Sequence, residues 1–190
     1  MNRSEQAGVL NGVNVTQLHE TVGAIRQNPE LAQFQFRATT QWKGGGRSET
    51  GIQGFHGAGG EDTSRDRPIM LVGDEPPVLL GENAGANAVE VLLHALTSCL
   101  TVGFVYNAAA RGIRVDALDF EVEGDLDLHA FLGLSEQKRP GYESSRVTYR
   151  AITDASREQV VELCEYVQKT SPVLDMLRNP VPVEVRLAPA

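Results

Sequence analysis

Cys99 and Cys164 are the residues of this chain best suited to nucleophilic or redox chemistry. Two cysteines are too few for a disulfide framework or a structural zinc site. Cys99 lies within Val91 to Ala110, a run without a single Lys, Arg, Asp or Glu. A free cysteine in such a run reads either as a small buried hydrophobe or as a reactive thiol. The second reading needs a cation or a helix N-terminus to hold the thiolate. Position 99 falls in mid-helix, so a cation would have to arrive from elsewhere in the fold. Cys164 shares an apolar stripe with Val160, Leu163 and Val167 and reads as core.

Other side chains offer less. His94 follows Glu90 by one helical turn, a spacing that suits either an acid–base pair or a plain helix pair at an interface. His19, His56 and His129 are scattered without metal-ligand spacing, so neither a metal nor a cofactor is implied. Of 19 glycines, eight lie between Gly44 and Gly60. They lack the Gly-Lys-Ser/Thr ending of a phosphate loop and read as a hairpin and loop. Asp125 and Asp127 read as a solvated strand face.

The elements that must position these residues follow from periodicity. A chain of 190 residues suits one domain with a real core. A helix is expected over Val15 to Gln27, capped by Asn14 and stopped by Pro29. Phe34, Phe36, Ala38, Thr40 and Trp42 alternate with polar residues, which predicts a strand with one buried face. Gly44 to Gly46 turn the chain, Gly51 to Gly60 read as a second strand fading into a loop, and Arg67 to Gly73 as a third. The apolar helix begins near Asn87, where Asn87 and Glu90 match a capping box, and runs to about Arg111. Its twenty uncharged residues would just span a bilayer. Its Thr, Ser, Asn and His residues favour a buried core helix instead.

Strands around Leu118 to Val122 and Val147 to Ala151 come next, joined by a loop near Lys138 to Gly141. Ser156 with Gln159 opens another helix, and Ser171 followed by Pro172 opens a short one that Pro180 ends. Val181, Val183, Val185 and Leu187 predict a closing strand. Segregated strands and helices of this kind indicate an α+β fold with mostly antiparallel pairing. The net charge of −8 argues against nucleic acid or an anionic membrane as a partner. Met1 to Asn14 lacks the apolar run of a signal segment, which makes the cytoplasm the expected compartment.

Asn87, Glu90, Leu92, Leu93, Ala95, Leu96 and Cys99, together with Ser171, Pro172 and Val173, resemble the OsmC/Ohr superfamily of stress-induced thiol proteins. The resemblance covers roughly Phe34 to Leu187, which sets residues 1–30 apart as a helical extension and 31–190 as the OsmC-like domain. It implies an intertwined homodimer, with mostly antiparallel sheets wrapped around long central helices. It further implies reduction of organic hydroperoxides. In peroxidase members a first cysteine attacks the O–O bond and a second resolves the sulfenic acid as a disulfide. An arginine of the first hairpin holds the thiolate and a glutamate orients that arginine.

Carried over residue by residue, Cys99 takes the peroxidatic place. Arg47, at the end of the Gly44-Gly45-Gly46 run, is near the family arginine, and reads equally as a surface turn residue. The family glutamate falls on Val89. Glu90, nine residues before Cys99, faces the opposite side of the helix about 13 Å away, so it would act only through a partner chain. Ser171 stands where the resolving cysteine should be. Cys164 is seven residues earlier, about 10 Å along a helix, whereas the Cα atoms of a disulfide approach within about 7 Å. The resemblance thus leads to a one-cysteine thiol peroxidase acting through Cys99, with an external thiol as reductant. The alternative is a non-catalytic dimer that binds a small apolar ligand in its interface pocket. Residues expected at the site are Cys99 and Arg47, supported by Glu90, His94 and Ser171.

Overall fold

A computed structural model describes residues 8–189. The first residues of the stretch read as lacking a signal segment, and of the 1–30 extension, lie outside the described residues. The chain divides into two compact units, Met1–Leu92 and Leu93–Ala190.

In the first unit, β1 (Val9–Leu10) and β2 (Val13–Asn14) form a small hairpin ahead of α1 (Val15–Gln27). The Asn14 side chain accepts the Gln17 N–H at 3.0 Å and the helix ends at Asn28, before Pro29, as expected from the sequence. Alternation predicts one strand from Phe34 to Lys43, but there are two: β3 (Gln35–Phe36) and β4 (Thr39–Gly44). The chain changes partner between them. β4 pairs with β5 (Arg47–Ile52), while β3 pairs with β6 (Phe55–Gly57), which pairs in turn with β7 (Gly60–Asp62). The second strand therefore starts at Arg47, and the segment expected to fade into a loop holds a second hairpin. β8 (Ile69–Gly73) completes a three-stranded antiparallel sheet in the order β4-β5-β8.

The expected buried face is not buried within this unit: Phe36 and Trp42 are 69% and 76% exposed. The alternation is present, but a two-layer core needs a second apolar layer laid over it. The rings of Phe34, Phe36 and Phe55 pack on one another instead, with centroids 5.2 to 6.0 Å apart.

After β8 the chain folds into a tight loop around Asp74, which is 4% exposed. Its carboxylate accepts backbone N–H bonds from Glu75, Glu82 and Ala84 at 2.8 to 3.0 Å. Ala84 and then Glu75 contribute most to holding that carboxyl below the ordinary aspartate range. Gly81 and Gly85 are required there by close approach, since a Cβ would come within 1.9 Å of the Glu75 carbonyl oxygen or 2.0 Å of the Val72 carbonyl oxygen. The loop delivers the chain to α2 (Ala88–Ala110). Asn87 Oδ1 accepts the Glu90 N–H and Glu90 Oε2 accepts the Asn87 N–H, each at 2.9 Å, so the expected capping box is formed.

In the second unit, the chain turns out of α2 at Gly112, whose φ of +72° suits glycine. β9 (Val115–Asp125) and β10 (Ser144–Thr153) form an antiparallel pair. α3 (Arg157–Thr170) opens with the Ser156–Gln159 capping box, and α4 (Pro172–Arg178) opens at Ser171. The core joins Leu96, Leu100, Phe104 and Ala108 of α2 to Leu163, Cys164 and Val167 of α3, with Phe120 and Tyr149 of the β pair packed against them. Gly103 lets the helices meet, because a Cβ there would come within 3.1 Å of Val167 Cγ1.

Two expectations change in this unit. The sequence predicts an α2 buried on most sides, yet Val102 and Tyr106 are 51% and 47% exposed. Its length and composition would also let it cross a membrane. The alternating segment Val181 to Leu187 is exposed and forms no strand among the described residues. Alternation supplies a two-faced segment, whereas a strand also needs a neighbour's backbone groups.

Candidate functional site

Cys99 is half-buried on α2 and Cys164 is buried on α3; both are free thiols. Their surroundings differ in kind. Cys164 sits among Leu163, Val167 and Phe104 in the core. Burial pushes its thiol above the ordinary cysteine range, against the partial relief of the Tyr149 hydroxyl, which donates to the sulfur. It is a packed core residue, as its stripe implied.

Cys99 faces a polar partner. Its Sγ lies 3.2 Å from Oγ of Ser171, 72 positions along the chain. Ser171 is 4% exposed and occupies the junction between α3 and α4. The Leu174 N–H donates to the same oxygen at 3.3 Å. With that donor already engaging an oxygen lone pair, the single hydroxyl proton is available to point at the sulfur. Ser171 thus holds the start of α4 as its N-cap and contacts the candidate nucleophile with one atom.

The stripe of α2 that carries Cys99 continues three and seven residues on to Val102 and Tyr106, both half-exposed. Cys99 therefore stands at the boundary between the packed core face and an apolar surface. A thiol so placed can meet an apolar molecule without unfolding the core.

The remaining candidates are engaged in other ways. Arg47 opens β5, is exposed, and makes its ion pair with Glu49 at 3.3 Å, a carboxylate that Lys43 also meets at 3.3 Å. Glu90 spends its carboxylate on the cap of α2. His94 is exposed on that helix. Of the five residues singled out from the sequence, the structure brings Cys99 and Ser171 into contact.

Two structural contributors went unrecognised in the sequence. Asp74 is signalled only by an acidic residue ahead of a Pro- and Gly-containing loop, and Tyr149 looks like any strand residue. The first unit also holds an open cleft of about 460 Å³, lined by residues that include Arg37, Gln41, Glu49, Gln53 and Met70. Among the described residues, no group of three or more His, Cys, Asp or Glu side chains is gathered as a metal ion would need.

The family model for OsmC-like proteins matches residues 81–186. That span holds α2, Cys99, the β9–β10 pair, α3 and Ser171, and it is more than half of the chain. This chain belongs to the OsmC-like protein family. Its fold is α+β, and solved structures share it. The OsmC-like protein of Mycoplasma pneumoniae is 16% identical with a TM-score of 0.60, over 77% of this chain and 89% of that one. An organic hydroperoxide resistance protein OsmC from Legionella pneumophila is 16% identical with a TM-score of 0.51, over 78% and 92%. A hypothetical protein from Aquifex aeolicus is 16% identical with a TM-score of 0.52, over 76% and 88%. At these identities the likeness concerns the OsmC-like fold. No curated protein matches the chain.

Proposed function

We propose that this OsmC-like protein is a one-cysteine thiol peroxidase of the oxidative-stress response that reduces organic hydroperoxides through Cys99. The observation that carries the reading is the half-buried Cys99 sulfur at the edge of an apolar surface, 3.2 Å from a buried hydroxyl. The name of the Legionella relative, a hydroperoxide resistance protein, supports the substrate class.

In this reading the Cys99 thiolate attacks the terminal oxygen of ROOH. The S–O bond forms, the O–O bond breaks, and the alkoxide leaves with a proton as ROH, so that sulfur is oxidised to a sulfenic acid. An external thiol then displaces water to give a mixed disulfide. A second thiol releases Cys99 and carries off the oxidised pair. Such a cycle suits a thiol-rich cytoplasm. Arg47 serves as the activating cation in this scheme, Glu90 supports it through a partner chain, and His94 is a further supporting residue.

A homodimer completes the proposal. The exposed Val102 and Tyr106 beside Cys99 offer a helix face that a second copy would cover, and Phe36 and Trp42 offer a sheet face. Dimer assembly would then place the apolar part of a hydroperoxide next to the sulfur. Intact mass after one equivalent of cumene hydroperoxide tests the chemistry: one oxygen gained by the native chain and none by Cys99→Ser. No gain, or an equal gain in the variant, removes the peroxidase.

A further inference from the structure

We infer that Ser171 is a positioning residue for Cys99: its hydroxyl donates to the sulfur, steers it toward the apolar surface, and leaves the oxidised sulfur for an external thiol to clear. The inference rests on the peroxidase reading for its redox consequence, but the hydrogen bond itself stands on geometry.

Three observations carry it. Ser171 is 4% exposed, so water competes weakly for its hydroxyl. The Leu174 N–H engages one lone pair of the oxygen at 3.3 Å, and toward a deprotonated sulfur 3.2 Å away the hydroxyl is the one group of the pair with a proton to donate. The oxygen is held by the junction of α3 and α4, with Pro172 fixing the backbone of the first turn, so the donor is preorganised. A hydrogen bond to a developing or full negative charge on sulfur is worth more than one to a neutral thiol. The same contact therefore orients the sulfur both before and after it reacts.

A serine cannot form a disulfide. Cys164, the remaining sulfur, is packed in the core beneath Tyr149. The sulfenic acid consequently persists until a small thiol attacks it, whereupon the S–O bond breaks, the S–S bond forms and water leaves.

Iodoacetamide alkylation of Cys99, followed by mass spectrometry at pH 7, separates this role from a merely structural one. Ser171→Ala removes the donor and the N-cap together. Loss of the cap alone would loosen α4 and expose the sulfur, speeding alkylation. Loss of the donated bond slows it, by roughly three- to tenfold. An unchanged or faster rate in Ser171→Ala overturns the role. Ser171→Cys reads the geometry directly: treatment with diamide should remove two hydrogens from the intact mass through a bond to Cys99. Failure to form that bond under conditions in which both thiols alkylate also overturns it. Neither readout needs peroxide, so a native chain that takes up no oxygen would defeat the peroxidase reading, while the role of Ser171 stands or falls with these two variants.

Discussion

Ser171 Oγ lies 3.2 Å from Cys99 Sγ, so a residue that ends one helix and begins another also touches the candidate nucleophile. The pairing joins α2 to the α3–α4 junction through a polar contact at the edge of a largely apolar core. Burial separates the two thiols, since Cys99 is half-buried and Cys164 is buried.

That distinction predicts the thiol count. A chromogenic disulfide reagent should titrate Cys99 in the native protein and reach Cys164 only after denaturant is added. Cys99→Ser should abolish the native fraction and keep the denatured one. A fast reaction of both thiols in the native state would contradict the packing of Cys164 against Leu163 and Val167.

Asp74 predicts an acid limb. Its carboxyl titrates below the ordinary aspartate value, chiefly because the Ala84 and Glu75 N–H groups donate to it. A group depressed on folding adds stability that is fully present above the unfolded value of about 3.9 and is lost as pH falls through the lower folded value. Asp74→Asn should therefore lower the urea midpoint at pH 7 and flatten its fall on acidification below about pH 4. A variant whose midpoint equals that of the native chain at pH 7 would show that the three N–H bonds contribute nothing net.

Two glycines should respond oppositely. Gly23 is in the exposed α1, where an added Cβ would meet nothing within 4 Å, and Gly23→Ala should stabilise the chain by about 0.5–1 kcal/mol. At Gly85 the added Cβ would meet the Val72 carbonyl oxygen at 2.0 Å. Gly85→Ala should lower the thermal midpoint and expose the Asp74 loop to protease. Equal behaviour of the two variants would count against the loop geometry.

Leu163 is fully buried between α2 and the β9–β10 pair, and Leu163→Ala should cost about 2–5 kcal/mol in denaturant unfolding. Val161, on the same helix but 48% exposed, should cost far less on the same change. A similar loss at both positions would mean that α3 presents a different face to the core.

The homodimer predicts its own weak point. Val102→Asp or Tyr106→Asp should convert a dimer to a monomer in sedimentation velocity while leaving helix content intact. A chain that sediments as a monomer before any substitution would remove the proposed interface.

The sequence by itself determined the helices and their ends. Asn14, the Asn87–Glu90 pair, Ser156 with Gln159, and Ser171 with Pro172 each cap a helix through bonds spanning three residues or fewer, and such chemistry is complete within its own segment. The α+β class and the apolar character of α2 were legible for the same reason. Strand partners were not. The stretch from Phe34 to Lys43 divides because its halves pair with different strands, and Val181 to Leu187 alternates without pairing, since ladder bonds come from distant backbone. The site shows the same division. Cys99 stood out by its place in an uncharged helix and by family resemblance. Its contact with Ser171 depends on how α3 and α4 pack on α2, and only the close approach permitted at Gly103 and the core around Leu163 bring those positions together.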